Sequence, residues 1–325
     1  MNDLSIARIL NRQESFGVQS ADPAKPSLDI AFGIDERYAR YMGVLMTSLI
    51  ANNVDCFLIF HVFTDSIRNE DRQRLSQLAE QFSVSIHIYY INPTSVQNLP
   101  AANHYSPATY YRLLIPAILQ GKITRLLYLD SDIICISKLT NISEIPMGNT
   151  IAAIVPDVPA IVEEKVKELH LTHKNYFNAG VMLMDIEKWN LENISEKVLT
   201  VLTENIGKFS LQDQDALNIV LDGKTALLPP TWNQVYNMGQ MTQDLLPGTM
   251  LLHYAGSIKP WRLSGRHPIS RHYRDFENRS PWAGSPLLPP AGYKEMEVYS
   301  RLSFRERDFA TGLRWYWRYL KTKFL

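Results

Sequence analysis

A chain of 325 residues with 46% apolar side chains is long enough for one large α/β domain with an accessory segment, or for two ordinary domains. Its 33 basic and 33 acidic side chains cancel, so no global charge argues for nucleic acid or a strongly acidic partner, and any electrostatic partner must be recognised locally. No stretch approaches the ~20 consecutive apolar residues of a spanning helix; Cys56 and Cys135 lie in apolar runs where buried free thiols are expected, which suits a reducing compartment.

Residues 1–27 are mixed and polar, with Asp3, Arg8, Arg12 and Glu14 in place of a signal peptide's apolar core. They end in Ala21-Asp-Pro-Ala-Lys-Pro26 and read as a leader and linker. These features place the protein in the cytosol or at a membrane face. A first core strand at 28–32 runs into Gly33-Ile34-Asp35-Glu36-Arg37-Tyr38, a glycine turn with acidic residues of the kind that begins many nucleotide sites, though without a glycine-rich phosphate loop. Residues 41–52 read as an apolar helix, 57–63 as a buried strand, 71–82 as a helix with Leu75, Leu78, Ala79 and Phe82 at helical spacing, and 85–91 as a strand. This alternation predicts a mostly parallel sheet covered by helices. His61 and His87, inside strands, read as core histidines.

Residues 109–116 read as a helix in which Arg112 is one of few charges. It is either a structural ion-pair partner or a planar fork for a substrate phosphate or a site carboxylate. Then comes Arg125-Leu-Leu-Tyr-Leu-Asp130-Ser131-Asp132-Ile-Ile-Cys-Ile136, which reads as a buried strand with its continuation, broken by two carboxylates. Carboxylates in such a place need cations, donors or a metal. At i and i+2 of an extended segment both point the same way and reach one hard cation. Their position beyond the end of a strand favours a ligand. Yet chance alone supplies roughly one Asp-x-Asp in a chain of this composition, so capping or turn chemistry is the competing explanation.

A short strand at 151–155 ends at Pro156-Asp157, and a longer one at 176–185 is interrupted by Asn178 and Gly180. Glycine there marks close approach by a ligand or backbone, or a bulge. Residues 211–220 place Asp213, Gln214 and Asp215 at the start of an apolar helix, where Asp213 is a natural N-cap. In His253-Tyr-Ala-Gly256-Ser-Ile-Lys259-Pro-Trp261 a histidine ends an apolar run and precedes a glycine turn and a lone lysine, a pattern suited to a cation and a phosphate. Beyond Trp261 the chain is rich in Pro, Ser and Arg, with a boundary at Leu287-Leu-Pro-Pro290. After Asp308 no acid remains. A helix there puts Leu313, Trp317, Leu320 and Phe324 on one stripe flanked by Arg314, Arg318 and Lys321, which suits an anionic membrane face. Trp315 and Tyr319 fall outside the stripe, and the alternative is a helix packed on its own domain.

Taken in order, the Gly33 to Tyr38 turn, Tyr128-Leu-Asp130-Ser131-Asp132, Phe177-Asn178-Ala-Gly180, Asp213-Gln214-Asp215 and the His253 to Trp261 segment closely resemble the family-eight retaining glycosyltransferases, especially the bacterial hexosyltransferases of the lipopolysaccharide outer core. The resemblance runs from Leu28 to the end, and the His253 segment is its most specific part. It implies an α/β fold: a single Rossmann-like nucleotide-sugar-binding domain of the glycosyltransferase A type, with a mostly parallel sheet, at 28–275, after a leader at 1–27 and before a basic, aromatic helical region at 276–325. It implies metal-dependent, retaining transfer of glucose or galactose from a UDP-sugar to the lipopolysaccharide core. The alternatives are another polysaccharide or protein acceptor, or a sugar-nucleotide-binding module without turnover.

By that resemblance Asp35 and Tyr38, in the turn with Gly33 and Ile34, hold the uracil. Asp130, Asp132 and His253 bind Mn²⁺ or Mg²⁺, with Ser131 between the two acids. Gly256 and Lys259 contact the diphosphate. Arg112, Asp157, Asn178, Asp213 and Gln214 hold the transferred sugar, with Gln214 nearest the reacting carbon. The chain departs from the family in having Asp35-Glu36-Arg37 where relatives often have Asp-Asp-Asn, so Glu36 and Arg37 carry no assigned contact. A metal and a lysine stabilise the leaving diphosphate without proton transfer, and nearby carboxylate or amide oxygens favour an oxocarbenium-like carbon. Covalent and front-face routes both remain open; Gln214 is a poor nucleophile, which favours the front-face route. The implied location is the cytoplasmic face of the bacterial inner membrane, with peripheral contact through 313–325.

Overall fold

The apolar runs have no polar face, and strands of that kind are stable only in a sheet covered on both sides. A computed structural model of the chain, which describes residues 6–18, 25–97, 99, 106–139, 142–239 and 244–324, has that arrangement. Among these residues the strands are β1 (Leu10–Gly17), β2 (Ser27–Gly33), β3 (Phe57–Thr64), β4 (Ser85–Ile91), β5 (Arg125–Leu129), β6 (Ile133–Cys135), β7 (Ala152–Pro156), β8 (Phe177–Asp185), β9 (Thr225–Leu227), β10 (Gln234–Val235) and β11 (Leu251–His253). Eight of them form one sheet in the order β1-β4-β3-β2-β5-β8-β7-β9, and β10-β11-β6 form a second, small one. The block β4-β3-β2-β5 is wholly parallel, as the strand and helix alternation predicts; β8 runs antiparallel to both its neighbours.

Successive side chains of each central strand feed two different cores. Leu58, Phe60 and Val62 join Ile30, Phe32, Met42 and Leu78 beneath helices Ala39–Asn52 and Asn69–Phe82. Phe63 joins Tyr89, Leu114 and Met182 on the opposite face, under helices Tyr111–Leu119 and Ile194–Glu204. Each fully buried side chain of this size contributes roughly 1.5–3 kcal/mol. His61 is a core histidine as expected, bonded to Asp29 at 2.8 Å and to the Tyr89 hydroxyl at 3.2 Å. Both cysteines are free.

Three expectations are corrected. Residues 10–17 are not leader: they form the antiparallel edge strand β1 on β4. The stretch reads as polar because an edge strand has one covered face, and its Glu14 is fixed by Arg72 at 2.7 Å. The linker reading at 19–24 lies outside the described residues. Next, Ile133 to Ile136 do not continue β5 within the main sheet; the chain turns at 131–132 and β6 pairs with β11 instead. Finally, Asp213 does not cap its helix; Gln212 holds the capping position and Asp213 is the first helical residue.

At the C-terminus, helices Tyr293–Arg305 and Phe309–Phe324 form a hairpin. Gly312 sits where a Cβ would meet the Phe304 ring at 2.8 Å, and Tyr299 meets Trp315 edge-on at 5.7 Å. The side chains outside the predicted stripe, Trp315 and Tyr319, are the ones that pack inward, whereas Leu313, Trp317 and Phe324 are exposed. Arg40 bonds Glu277 and the Pro286 carbonyl, tying helix Ala39–Asn52 to the segment that leads into this hairpin. No helix among the described residues is long and apolar enough to cross a membrane.

Candidate active site

The site forms where β5 ends. Asp130 N–H donates to the Gly180 carbonyl of β8 at 2.8 Å, after which the turn swings the chain into β6, whose Ile133 is paired with His253 of β11. Asp130 and Asp132 therefore converge across a turn and not along an extended strand, and β11 supplies the third group. One ligand atom each of Asp130, Asp132 and His253 lie within 4.8 Å of one another. The histidine tautomer follows from its neighbours. Asn233 donates its amide N–H to Asn178 Oδ1 at 3.0 Å, so its oxygen accepts from His253 Nδ1 at 3.1 Å. In the neutral ring Nε2 then offers a lone pair toward the acids, the arrangement that ligating histidines need. Gly180 is required here for space: a Cβ would stand 2.5 Å from His253 Cε1 and 3.0 Å from both Asp130 Oδ2 and Asn178 Oδ1. Two carboxylates and an oriented imidazole form a donor set that fits a divalent cation.

Each acid has a fixed basic partner. Arg112 is buried; it reaches Asp130 at 2.9 Å, Asp213 at 3.1 Å and the Ala179 carbonyl at 2.7 Å, and lies over the Tyr128 ring. Tyr128 donates to the same Asp130 oxygen at 2.9 Å. Arg112 is thus the partner of site carboxylates. Lys259 Nζ binds Asp132 at 2.6 Å and the Tyr254 carbonyl at 2.6 Å. Burial alone would raise the Asp132 carboxyl, but Lys259 and His253 outweigh it and hold it well below the usual carboxylate range. Burial opposes the His253 imidazolium, yet Asp132 and Asp130 outweigh that and raise its pKa.

Asp213 differs from these acids. Burial, reinforced by Asp130 and only partly opposed by Arg112, pushes its carboxyl up to about 6. Because that value lies above the unfolded one, the stability contribution is full below pH ~4 and is lost as pH rises through about 6. In EDTA, Asp213→Asn is therefore expected to gain on the order of 1 kcal/mol relative to wild type between pH 5 and pH 7.5, measured by denaturant unfolding at both pH values; equal gaps at the two would refute it.

On one flank of the acids, β7, β8 and the helix start are joined by hydrogen bonds. Asp157 Oδ1 accepts from Val158 N–H at 2.7 Å, and its Oδ2 accepts from Gln214 Nε2 at 3.0 Å and Asn178 Nδ2 at 3.4 Å. Gln214 Oε1 accepts from Ala179 N–H at 3.0 Å, and Asn178 Oδ1 accepts from Gly180 N–H at 3.1 Å. Arg112, Asp157, Asn178, Asp213 and Gln214 thus share one contact network with Asp130.

The Gly33 to Tyr38 turn stands on the other flank. Ile34 N–H bonds the Phe63 carbonyl at 2.9 Å, and a Cβ on Gly33 would press on the Ala108 carbonyl at 3.1 Å. Asp35 caps the short turn Glu36–Tyr38 and pairs with Arg37 at 2.6 Å, while Glu36 pairs with Arg68 at 2.8 Å. Tyr38 meets Tyr41 and Trp261 edge-on, and Trp261 stacks on Tyr41 at 3.8 Å. This aromatic group joins the first motif to the last. Burial and the charge of Asp132 push the Tyr38 hydroxyl up to about 12. Ser131 is buried between the two acids, and Gly256 has φ +84° with Asn237 3.0 Å from where a Cβ would be. Nothing in the sequence signals the contacts of Asn233 and Tyr176, because their partners lie far away in the chain.

The family model described as glycosyl transferase family 8 matches residues 29–264, and that of the family 8 C-terminal region matches 255–323. A lipopolysaccharide 1,3-galactosyltransferase of Salmonella typhimurium is 32% identical over 308 residues, 91% of each chain. A lipopolysaccharide 1,2-glucosyltransferase of Escherichia coli is 32% identical over 266 residues, 78% of this chain and 79% of the other. The structure of the galactosyltransferase LgtC with donor and acceptor sugar analogues is similar in fold, with a TM-score of 0.68 at 23% identity over 78% of this chain and 96% of that one.

Proposed function

Because the chain belongs to glycosyl transferase family 8, we propose that it transfers glucose or galactose, with retention, from a UDP-sugar to the core oligosaccharide of lipopolysaccharide. The observation that carries this reading is the convergence of Asp130, Asp132 and His253 beside Lys259 at the end of β5. Asp130, Asp132 and His253 would hold the cation, Mn²⁺ or Mg²⁺, which supplies Lewis-acid stabilisation to the departing diphosphate. Lys259 adds a second positive charge to the leaving group, with Gly256 giving close backbone approach. Asp35 and Tyr38 bind the uracil. Arg112, Asp157, Asn178 and Asp213 place the sugar, and Gln214 lies nearest the anomeric carbon. The bond from that carbon to the diphosphate oxygen breaks as an acceptor hydroxyl attacks from the same face and gives its proton to the departing oxygen. Asp130 and Asp132 position the leaving group and move no proton.

Incubation with UDP-glucose and UDP-galactose separately, with Mn²⁺ or Mg²⁺ and truncated core lipopolysaccharides, tests the reading by mass spectrometry. One added hexose on a core acceptor is expected. UDP binding without transfer would establish a binding module, and transfer to another polysaccharide or a protein would change the acceptor.

The exposed stripe Leu313, Trp317 and Phe324, flanked by exposed Arg314, Arg318 and Lys321, supports peripheral attachment to the anionic cytoplasmic face of the inner membrane. Withdrawing each large apolar side chain from an interface forfeits roughly 1.5–3 kcal/mol. Leu313→Asp with Trp317→Asp is therefore expected to weaken binding to phosphatidylglycerol vesicles by at least about tenfold with the thermal midpoint unchanged, as read by flotation and calorimetry. Undiminished flotation would sink the attachment.

A further inference from the structure

The direction in which the Gln214 amide faces is set by residues beneath it that have no assigned role. Its Nε2 donates one hydrogen to Asp157 Oδ2 at 3.0 Å and the other to the Tyr176 hydroxyl oxygen at 3.1 Å, while its Oε1 accepts from Ala179 N–H. A tyrosine hydroxyl has a single hydrogen. Tyr176 gives it to Asp215 Oδ1 at 2.6 Å, and only for that reason does its oxygen receive Gln214. Asp215 is completely buried, and its other oxygen accepts from Leu211 N–H at 3.0 Å and Lys165 Nζ at 3.1 Å. Lys165, also buried, is anchored by Ser210 at 2.6 Å and Glu168 at 2.9 Å. Removing two charges from water costs several kcal/mol per ion, and an apolar pair of similar volume is often no less stable. The ion pair under Gln214 is therefore weakly accounted for by stability alone.

We propose that Lys165, Asp215 and Tyr176 are positioning residues for glycosyl transfer, fixing the direction of the hydrogen bonds so that Gln214 presents one amide orientation to the sugar. This rests on the reading of Gln214 as the group nearest the reacting carbon. The chain of bonds makes a specific demand on an amide at 215. Leu211 N–H and Lys165 both donate at the Oδ2 position, so in Asp215→Asn the oxygen must remain there and the NH₂ must face Tyr176. The Tyr176 hydroxyl then receives a hydrogen and turns its own toward Gln214 Nε2, donor against donor. To meet it, the Gln214 amide must flip, which sets its NH₂ against Ala179 N–H and deprives Asp157 of its donor. Removing the hydroxyl as well removes the conflict.

The test compares kcat and KM for UDP release from UDP-glucose and UDP-galactose, on truncated core lipopolysaccharide, in wild type, Tyr176→Phe, Asp215→Asn, the double variant and Gln214→Ala. Tyr176→Phe loses one neutral hydrogen bond and is expected to lower kcat about fivefold. Asp215→Asn misdirects the amide and is expected to lower it about a hundredfold with KM little changed. The double variant is expected to recover to the Tyr176→Phe level, a gain that no merely structural role produces. The side-chain NH₂ resonances of Gln214, identified by their absence in Gln214→Ala, should be displaced in Asp215→Asn and return in the double variant, a readout independent of turnover. If Asp215→Asn fails to fold, adding Lys165→Met removes the uncompensated charge and leaves Leu211 N–H to enforce the same inversion. A double variant at or below the Asp215→Asn level, or unmoved Gln214 resonances, overturns the proposal. An unchanged kcat in Gln214→Ala overturns instead the reading on which it rests.

Discussion

Asp132→Asn is expected to lower kcat on the order of a thousandfold, and EDTA treatment of the wild type should bring it to the same floor. The carboxylate of Asp132 is held between Lys259 at 2.6 Å and His253 at 3.2 Å, both largely buried. An amide of the same shape keeps one acceptor oxygen and loses the charge. The donor set for a divalent cation is then short of one anionic oxygen, and Lys259, which still reaches the Tyr254 carbonyl, loses the counter-charge that aims it at the diphosphate. Charge stabilisation of a leaving group by a metal is worth several kcal/mol, and each 1.36 kcal/mol is about tenfold in rate. Transfer kinetics against a Mn²⁺ titration check this; turnover within about threefold of wild type, with the same metal dependence, would remove Asp132 from the site. Substitution at Asp35 offers the contrast, since that carboxylate contacts its own turn and Arg37 and its loss should act on the KM for the donor.

How much of this was legible follows from the range of each signal. The buried strands announce themselves because all residues of β3 but Ile59 are buried, so the run is apolar apart from His61 and Thr64. The acids at 130 and 132 stand out against such a background. Their geometry does not, since β6 and β11 have three residues each, too few for a period to register, and the departure of the chain from the main sheet therefore reads as one unbroken strand. Asp213 is a sound local N-cap that loses to a tertiary partner: Arg112, a hundred residues earlier in sequence, draws it into the site. Asn233, Tyr176 and Lys165 have no local signature, because each matters through the one atom it contacts across the fold. The C-terminal stripe is readable from helical spacing, while the opposite, packed face depends on the partner helix 293–305 and on a glycine at 312 that lets the two approach.

Gly180→Ala is expected to disable the enzyme while leaving it folded, and it isolates the cation cradle from every charged group in it. In a strand with ordinary negative φ, as here, exchanging glycine for alanine stabilises by roughly 0.4–1 kcal/mol through the unfolded chain, so the backbone raises no objection. Space alone decides the outcome. The new Cβ would lie 2.5 Å from His253 Cε1 and 3.0 Å from Asp130 Oδ2, closer than carbon atoms pack, and neither neighbour is free to yield: His253 is pinned by Asn233 and Asp132, and Asp130 by Arg112 and Tyr128. Overpacking of this kind costs roughly 1–3 kcal/mol, which offsets the backbone gain and lowers the thermal midpoint modestly. A displacement of the ligating atoms by about 1 Å costs on the order of a hundredfold in rate, and affinity for Mn²⁺, followed by its electron paramagnetic resonance signal, should fall with it. An alanine variant that binds Mn²⁺ and turns over like the wild type would mean that Asp130, Asp132 and His253 do not act on a common cation.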